Sequence, residues 1–280
     1  MDTFYVGDRA IHYRRTGEGT PVILTPGGRL GSSALASLAH SLQDHMQLIE
    51  WDRSNTGSSD LYLDAPPEQY RWADDAALLV EHLGVGRAIF IGGSAGSRLA
   101  YLTAIRHPEV VSGLILWSVS GGGYGSQVLG YQYHTPYIEA AVRGGMAEVA
   151  QTPHYRELIK ANPGNEARLL NMDADQFMAV MKSWNEVFYS APETPVIGAT
   201  VSELRAVTVP TLVFNGNDDV HPAPAAEALH EAIPGSRLVP CAWTRDDFML
   251  RYVGRIQESV LELYPHMSKA IIDYIHEIAP

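Results

Sequence analysis

Cysteine occurs once, at Cys241, so the chain can form no internal disulfide and carries no cysteine-rich metal site. That residue lies in an apolar segment, where a free thiol behaves as a small buried hydrophobe. Basic clusters are missing as well. Twenty Lys and Arg residues are scattered among 32 acidic ones, for a formal net charge of −12, and this balance argues against nucleic acid or an anionic membrane as partner. No apolar run nears the roughly 18 residues needed to span a bilayer. The opening stretch MDTFYVGDRAIHYRRTG alternates like a strand and lacks the basic-then-apolar layout of a signal peptide. The expectation is a cytoplasmic protein whose partner is a small molecule, with room for a homo-oligomer. Internal repeats, low-complexity tracts, clustered metal ligands and a dinucleotide fingerprint are also lacking, so no cofactor is implied.

What is present is the make-up of a folded protein with a large core: 46% hydrophobic and 19% charged residues over 280 positions. Phe4 to Val6 and Ala10 to Arg14 flank Gly7-Asp8 as a hairpin. Six apolar runs follow: PVILT (21–25), MQLIEW (46–51), RAIFIG (87–92), SGLILW (112–117), TLVFNG (211–216) and RLVPCA (237–242). Amphipathic segments at Ser32 to Leu42, Tyr70 to Leu83, Gly96 to Arg106 and Ala223 to Ile233 lie between several of them. Such alternation predicts an α/β fold, a mostly parallel sheet with helices on both faces. It breaks between about 121 and 200, where only helical patterns occur, with Phe177, Val180, Met181, Trp184, Val187 and Phe188 on one stripe. That interval reads as a helical cap, dividing the chain into 1–120, 121–200 and 201–280. Phe177, Met181 and Trp184 are the residues expected to meet substrate beneath it.

The chemical signal is Gly92-Gly93-Ser94-Ala95-Gly96, a GxSxG pattern with an apolar strand before it and the helical SRLAYLTAIRH after it. A turn that tight strains the serine backbone and demands small neighbours. A serine hydroxyl needs a base to take its proton, usually a histidine held by a carboxylate.

At this point the sequence resembles the α/β-hydrolase superfamily over nearly its whole length, which implies an eight-stranded, mostly parallel sheet under a helical cap and Ser94 as nucleophile. The resemblance assigns Thr25-Pro26-Gly27-Gly28-Arg29-Leu30-Gly31-Ser32 to the oxyanion loop, with proline where the family often has histidine. Gly28 and Ala95 would then aim their amides at the developing oxyanion. Trp51-Asp52-Arg53-Ser54-Asn55-Thr56-Gly57-Ser58-Ser59-Asp60 is similar to the loop written DxRGxGxS, with Ser54 and Asn55 in place of its Arg-Gly, and reads as a polar structural turn. PTLVFNGNDDVHP (210–222) looks like the acid-bearing strand. Counting GxxD from Gly216 selects Asp219, leaving Asp218 as a turn-capping or solvated carboxylate.

The family's histidine should follow the last strand, yet WTRDDFMLRYVGRIQESVLELY contains none. Two candidates remain. His221 shares the loop of Asp219 at the sheet edge where open α/β sheets bind ligands, and His266 would lie in the first turn of a final helix starting at Pro265. Arg29, directly after the loop glycines, is a candidate for an anionic substrate group or for a structural ion pair. The function implied is a serine hydrolase that cleaves an ester, a lactone or a carbon-carbon bond beside a carbonyl in a small to medium apolar substrate through an acyl-serine. Two alternatives stay open: a lyase, cyclase or decarboxylase in which Ser94 only hydrogen-bonds the substrate, and a ligand-binding relative without turnover.

Overall fold

The computed structural model describes residues 1–189, 191 and 193–279. Eight strands form one sheet in the order β1-β2-β4-β3-β5-β6-β7-β8. They are β1 (Asp2–Val6), β2 (Arg9–Thr16), β3 (Pro21–Thr25), β4 (Gln47–Asp52), β5 (Ala88–Gly93), β6 (Val111–Trp117), β7 (Thr211–Phe214) and β8 (Arg237–Val239). The first two strands make the expected hairpin across Gly7-Asp8, and β2 runs antiparallel to β4. Every other pairing is parallel.

Strand side chains alternate between two cores, as a pleated sheet buried on both faces requires. Ile23, Phe90, Leu114 and Leu116 point to one core, shared with helices α2 (Glu68–Leu83), α3 (Ala95–Arg106), α8 (Val201–Arg205) and α9 (Ala223–Ala232). Val22, Leu24, Ile89, Ile91, Ile115 and Trp117 point to the other, shared with α1 (Ala36–Leu42), α10 (Arg245–Tyr252) and α11 (Ser268–Ile278). Local chemistry sets several helix ends. Gly84, at φ 64°, closes α2 in the left-handed conformation, and Thr200 and Thr244 open α8 and α10 with reciprocal capping boxes.

Between β6 and β7 the chain leaves the sheet for α4 (Gly122–Ala150), α5 (Pro153–Ala161), α6 (Gly164–Leu170) and α7 (Ala174–Glu186). It departs and returns at one place, since Gly121 bridges Val196 and the Ile197 amide donates to the Ser120 carbonyl. The insertion has its own core, including Ala140, Leu158, Phe177, Met181 and Trp184, and it rests on the loop after β4 through Leu61. Polar contacts fix that seat. Asn165 accepts from the Leu61 amide at 2.7 Å, Arg168 reaches Asp60 at 2.8 Å, and the Trp184 indole donates to the Asp64 carbonyl at 2.8 Å.

One expectation about the C-terminus is corrected. Pro265 does not start the final helix but lies inside a 3-10 segment, Val260–Met267, and α11 starts at Ser268. The 3-10 backbone accommodates the proline while Leu263, Tyr264 and Met267 are buried in the second core.

Candidate active site

Three loops converge at the carboxyl edge of the sheet, after β3, β5 and β7, where open α/β sheets bind ligands. The loop after β5 is a single residue. Ser94 stands between β5 and α3 at φ 54° and ψ −112°, a conformation worth about 1–3 kcal/mol of strain for a residue with a Cβ. Its neighbours hold it there. The Ser94 amide donates to the Trp117 carbonyl at 3.1 Å, and the Ser97 hydroxyl ties the Gly92 and Trp117 carbonyls together. The glycines are required by contact. A Cβ on Gly92 would stand 2.4 Å from the carbonyl carbon of Gly96, one on Gly93 2.2 Å from the Trp117 indole nitrogen, and one on Gly96 2.2 Å from the Thr25 carbonyl oxygen.

The loop after β7 brings an imidazole. His221 Nε2 lies 3.0 Å from Ser94 Oγ, and His221 Nδ1 lies 3.0 Å from Asp218 Oδ2. All three side chains are largely buried, with Ser94 and His221 each 9% exposed and Asp218 5%. An ionised carboxylate only accepts, so Nδ1 carries the proton and Nε2 is left to accept from the serine hydroxyl. Asp218 is held by its own turn: its Oδ1 accepts from the amides of Val220 and His221, both at 2.8 Å. Burial pushes this carboxyl up, but the hydrogen bond and charge of His221 and the two amides outweigh it and hold Asp218 below the usual carboxylate range.

The carboxylate chosen by the GxxD count is therefore not the one at the imidazole. Asp219 is displaced to the surface, where it pairs with Arg245 at 3.0 Å and is about half exposed. Asp218 faces inward because only the first of the two carboxylates can cap the amides two and three residues later and still reach the ring. A carboxylate three residues before a histidine in a tight turn is the signal that the GxxD count overlooks. His266 is exposed on the 3-10 segment. The stretch after β8 contributes Phe248 instead of a histidine, with its ring edge-on to His221 at 6.1 Å.

The loop after β3 touches Ser94 directly, since a Cβ on Gly27 would lie 3.2 Å from that of the serine. Ala95 opens α3 and Gly28 sits at φ 55°. Among the described residues neither of their amides meets a backbone acceptor. Two amides beside the serine at the positive end of a helix suit an oxygen that gains negative charge.

Arg29 is buried and ion-paired. Its Nε donates to Glu68 Oε2 at 2.9 Å and its Nη1 to the Tyr133 carbonyl at 2.9 Å. The expected substrate wall on α7 is placed differently. Phe177 and Met181 are wholly enclosed in the insertion's core, because the apolar stripe of α7 is what holds the four inserted helices together. Trp184 is buried too, although its ring lies 5.8 Å from the Arg29 guanidinium. Buried polar residues around Arg29 and the loop after β3 were not legible from pattern: Arg53, Arg98, Glu68 and Tyr133. The one hint was a charged side chain at position 98, within the first turn of the helix that follows the serine. A cavity of about 610 Å³, lined by Gly121 to Gly125, Asp218, Asp219, Pro222 and Pro224, opens beside the acid and not over Ser94.

In the polar loop after β4, Asn55 donates to the Tyr62 carbonyl and to Glu68. Arg9 arrives from β2, donates to Ser54 Oγ at 2.6 Å and forks onto Asp75 at 2.8 and 2.9 Å. A guanidinium from another strand thus stands against the short side chain that replaces the family loop's arginine.

The sequence matches the alpha/beta hydrolase fold family over residues 20–165, just over half of the chain. It is 26% identical to a 2-hydroxymuconate semialdehyde hydrolase of Pseudomonas putida, covering 88% of this chain and 89% of that one. It is also 26% identical to a proline iminopeptidase of Lactobacillus acidophilus, covering 81% and 84%. The structure overlays the enol-lactonase of Burkholderia xenovorans with a TM-score of 0.64 at 19% identity, over 98% of this chain and all of the other. With strand order, serine turn and matched residues in agreement, the chain belongs to the alpha/beta hydrolase fold family of enzymes.

Proposed function

We propose that the protein is a serine hydrolase acting through an acyl-Ser94 intermediate on an ester, a lactone or a related bond beside a carbonyl, in a small to medium substrate with an apolar body. The observation that carries this reading is the unbroken line Ser94 Oγ, His221 Nε2, His221 Nδ1, Asp218 Oδ2, with 3.0 Å at each junction. His221 takes the hydroxyl proton as Ser94 Oγ bonds to the substrate carbonyl carbon, and the carbonyl oxygen becomes negative between the Gly28 and Ala95 amides. Collapse of that intermediate breaks the bond to the leaving group, which takes the proton from His221 Nε2. Water then repeats the sequence against the acyl group: His221 removes its proton, the acid product departs, and the proton returns to Ser94 Oγ. Asp218 stays ionised throughout and steadies the imidazolium.

The motive for a lyase, cyclase or decarboxylase is the histidine missing after the last strand. His221, reaching Ser94 from the loop after β7, supports the hydrolase reading over it. Helices α4–α7 act as the cap in this scheme and shield the acyl group from bulk water.

A fluorophosphonate should label the wild-type protein and fail to label a folded Ser94→Ala variant. His221→Ala should lower turnover of a simple ester at least about a hundredfold, the low end of general-base contributions. Labelling that persists in Ser94→Ala, or full turnover in His221→Ala, would sink the assignment.

A further inference from the structure

Three arginines tied to the loop after β3 or to the turn at Ser94 have buried guanidiniums with fewer partners among the described residues than their N–H groups need. Arg29 uses Nε and Nη1 on Glu68 and the Tyr133 carbonyl, and its Nη2 has no partner among the described residues. Arg53, with no exposed surface, uses only Nη2, which donates to the carbonyls of Gly28 at 3.0 Å and Leu30 at 3.1 Å. Its Nε and Nη1 have no partner among the described residues. Arg98, one turn into α3 and 1% exposed, reaches Ser120 Oγ at 3.4 Å through Nη2, and its Nε has none.

Two carboxylates share this neighbourhood, and both are already engaged. Glu68 accepts from Arg29 on one oxygen and from Asn55 on the other. Asp52 accepts from the amides of Ser32 at 2.7 Å and Ser58 at 2.8 Å. Neither hydrogen-bonds Arg53 or Arg98. Rings cover the guanidinium faces, Trp72 over Arg53 at 4.3 Å and Phe188 over Arg98 at 4.7 Å, but a ring face does not satisfy an in-plane N–H. Burial pushes Arg53 down to about 10, which still leaves it charged at neutral pH.

Buried cations with unmade hydrogen bonds are costly, and the cost is relieved when an anion completes them. The cluster adjoins the reacting centre. Arg29 directly follows Gly28, Arg53 holds the Gly28 carbonyl, and the Arg98 amide donates to the Ser94 carbonyl at 3.0 Å.

We infer that Arg29, Arg53 and Arg98 form an anion-binding subsite beside Ser94 that receives a carboxylate carried by the substrate. A carboxylate has two oxygens that each accept more than one hydrogen bond, so it would take up single unpaired N–H groups from different guanidiniums. The apolar substrate expected from the sequence therefore carries one negative charge at a distance from the bond that is cut. This deepens the serine-hydrolase reading and rests on it.

The test pairs substrates of equal length. Wild-type enzyme is expected to hydrolyse monoethyl glutarate with at least about tenfold higher kcat/KM than ethyl pentanoate, the worth of one charge-assisted hydrogen bond. In Arg98→Met that ratio should fall to about one. Binding is read separately in Ser94→Ala: glutarate should raise its melting temperature more than pentanoate does, and adding Arg98→Met should abolish the difference. If Arg98→Met fails to fold, the wild-type ratio and the Ser94→Ala shift decide alone. Equal kcat/KM for the two esters, with no glutarate shift, overturns the subsite and leaves the hydrolase intact. A glutarate shift without cleavage of any ester overturns the hydrolase reading and leaves the subsite standing.

Discussion

Asp218 and Asp219 carry the same group on adjacent residues, and only their surroundings separate them. Asp218 has one oxygen on two amides and the other on His221, whereas Asp219 stands in solvent with Arg245. Asp218→Asn is expected to lower kcat by about 10³–10⁴, the scale seen when a triad carboxylate is replaced by an amide. Asp219→Asn should change it less than about threefold, because an exposed ion pair contributes little. Steady-state kinetics on both variants checks this, and a large loss confined to Asp219→Asn would reverse the assignment. The pH dependence of stability follows from the same contacts. The folded protein holds Asp218 below its unfolded value, so the unfolded chain binds the proton more readily. Its contribution is complete above the ordinary carboxylate range, near 3.9, and is lost as pH falls through the lower folded value. The melting-temperature gap between wild type and Asp218→Asn should therefore be flat from neutral pH to about 4 and close below that. Sequence made Ser94 legible because strand, glycines and helix all point at one residue. It left the acid ambiguous because motif spacing counts positions, while a turn selects the carboxylate that can fold back on its own amides.

The loop after β7 works as a unit. It delivers Asp218 and His221 within four residues, and Gly216 lets it close, since a Cβ there would lie 2.1 Å from the His221 carbonyl oxygen. Gly216→Ala should cost about a hundredfold or more in kcat, the scale of losing a general base. The accompanying stability loss should be about 1–3 kcal/mol, as for other single-site strain. Kinetics with calorimetry would separate the two effects, and wild-type turnover in the alanine variant would show that the loop has another way to close. Elements of this kind are hard to read in advance. The strands were legible as short apolar runs shared between two cores, α2 and α9 by their periodicity, and α3, buried from Ala95 to Ala104, by its place after the serine turn. The end of the chain was not, because proline suits both the first turn of an α-helix and the 3-10 segment it actually occupies, and the choice fell to the burial of Leu263, Tyr264 and Met267.

Among the described residues, two hydrophobic cores flank the sheet, a third holds the insertion together, and a small fourth cluster gathers Leu129, Phe188 and Ile197. Phe177 belongs to the third, with its ring against Tyr155 at 6.1 Å. Phe177→Ala should destabilise the protein by about 3–5 kcal/mol, the usual cost of emptying a buried aromatic site. It should alter substrate choice only as far as it loosens the insertion. Chemical denaturation beside a panel of ester chain lengths tests this, and a changed panel at unchanged stability would return Phe177 to the substrate wall. The stripe on α7 is apolar as read, and Phe177 and Met181 are enclosed in the insertion's core, since periodicity reports that a face is buried and says nothing of what lies opposite. The bridge between Gly121 and Val196 has a consequence for descent. A segment that leaves and rejoins a sheet at one point can be lengthened, shortened or exchanged while every strand keeps its register. Arg29, Arg53 and Arg98 all lie outside that segment, whereas Tyr133 and Phe188, which pack against them, lie within it. Appetite for charge would then be inherited with the sheet, and tolerance for bulk would drift with the insertion.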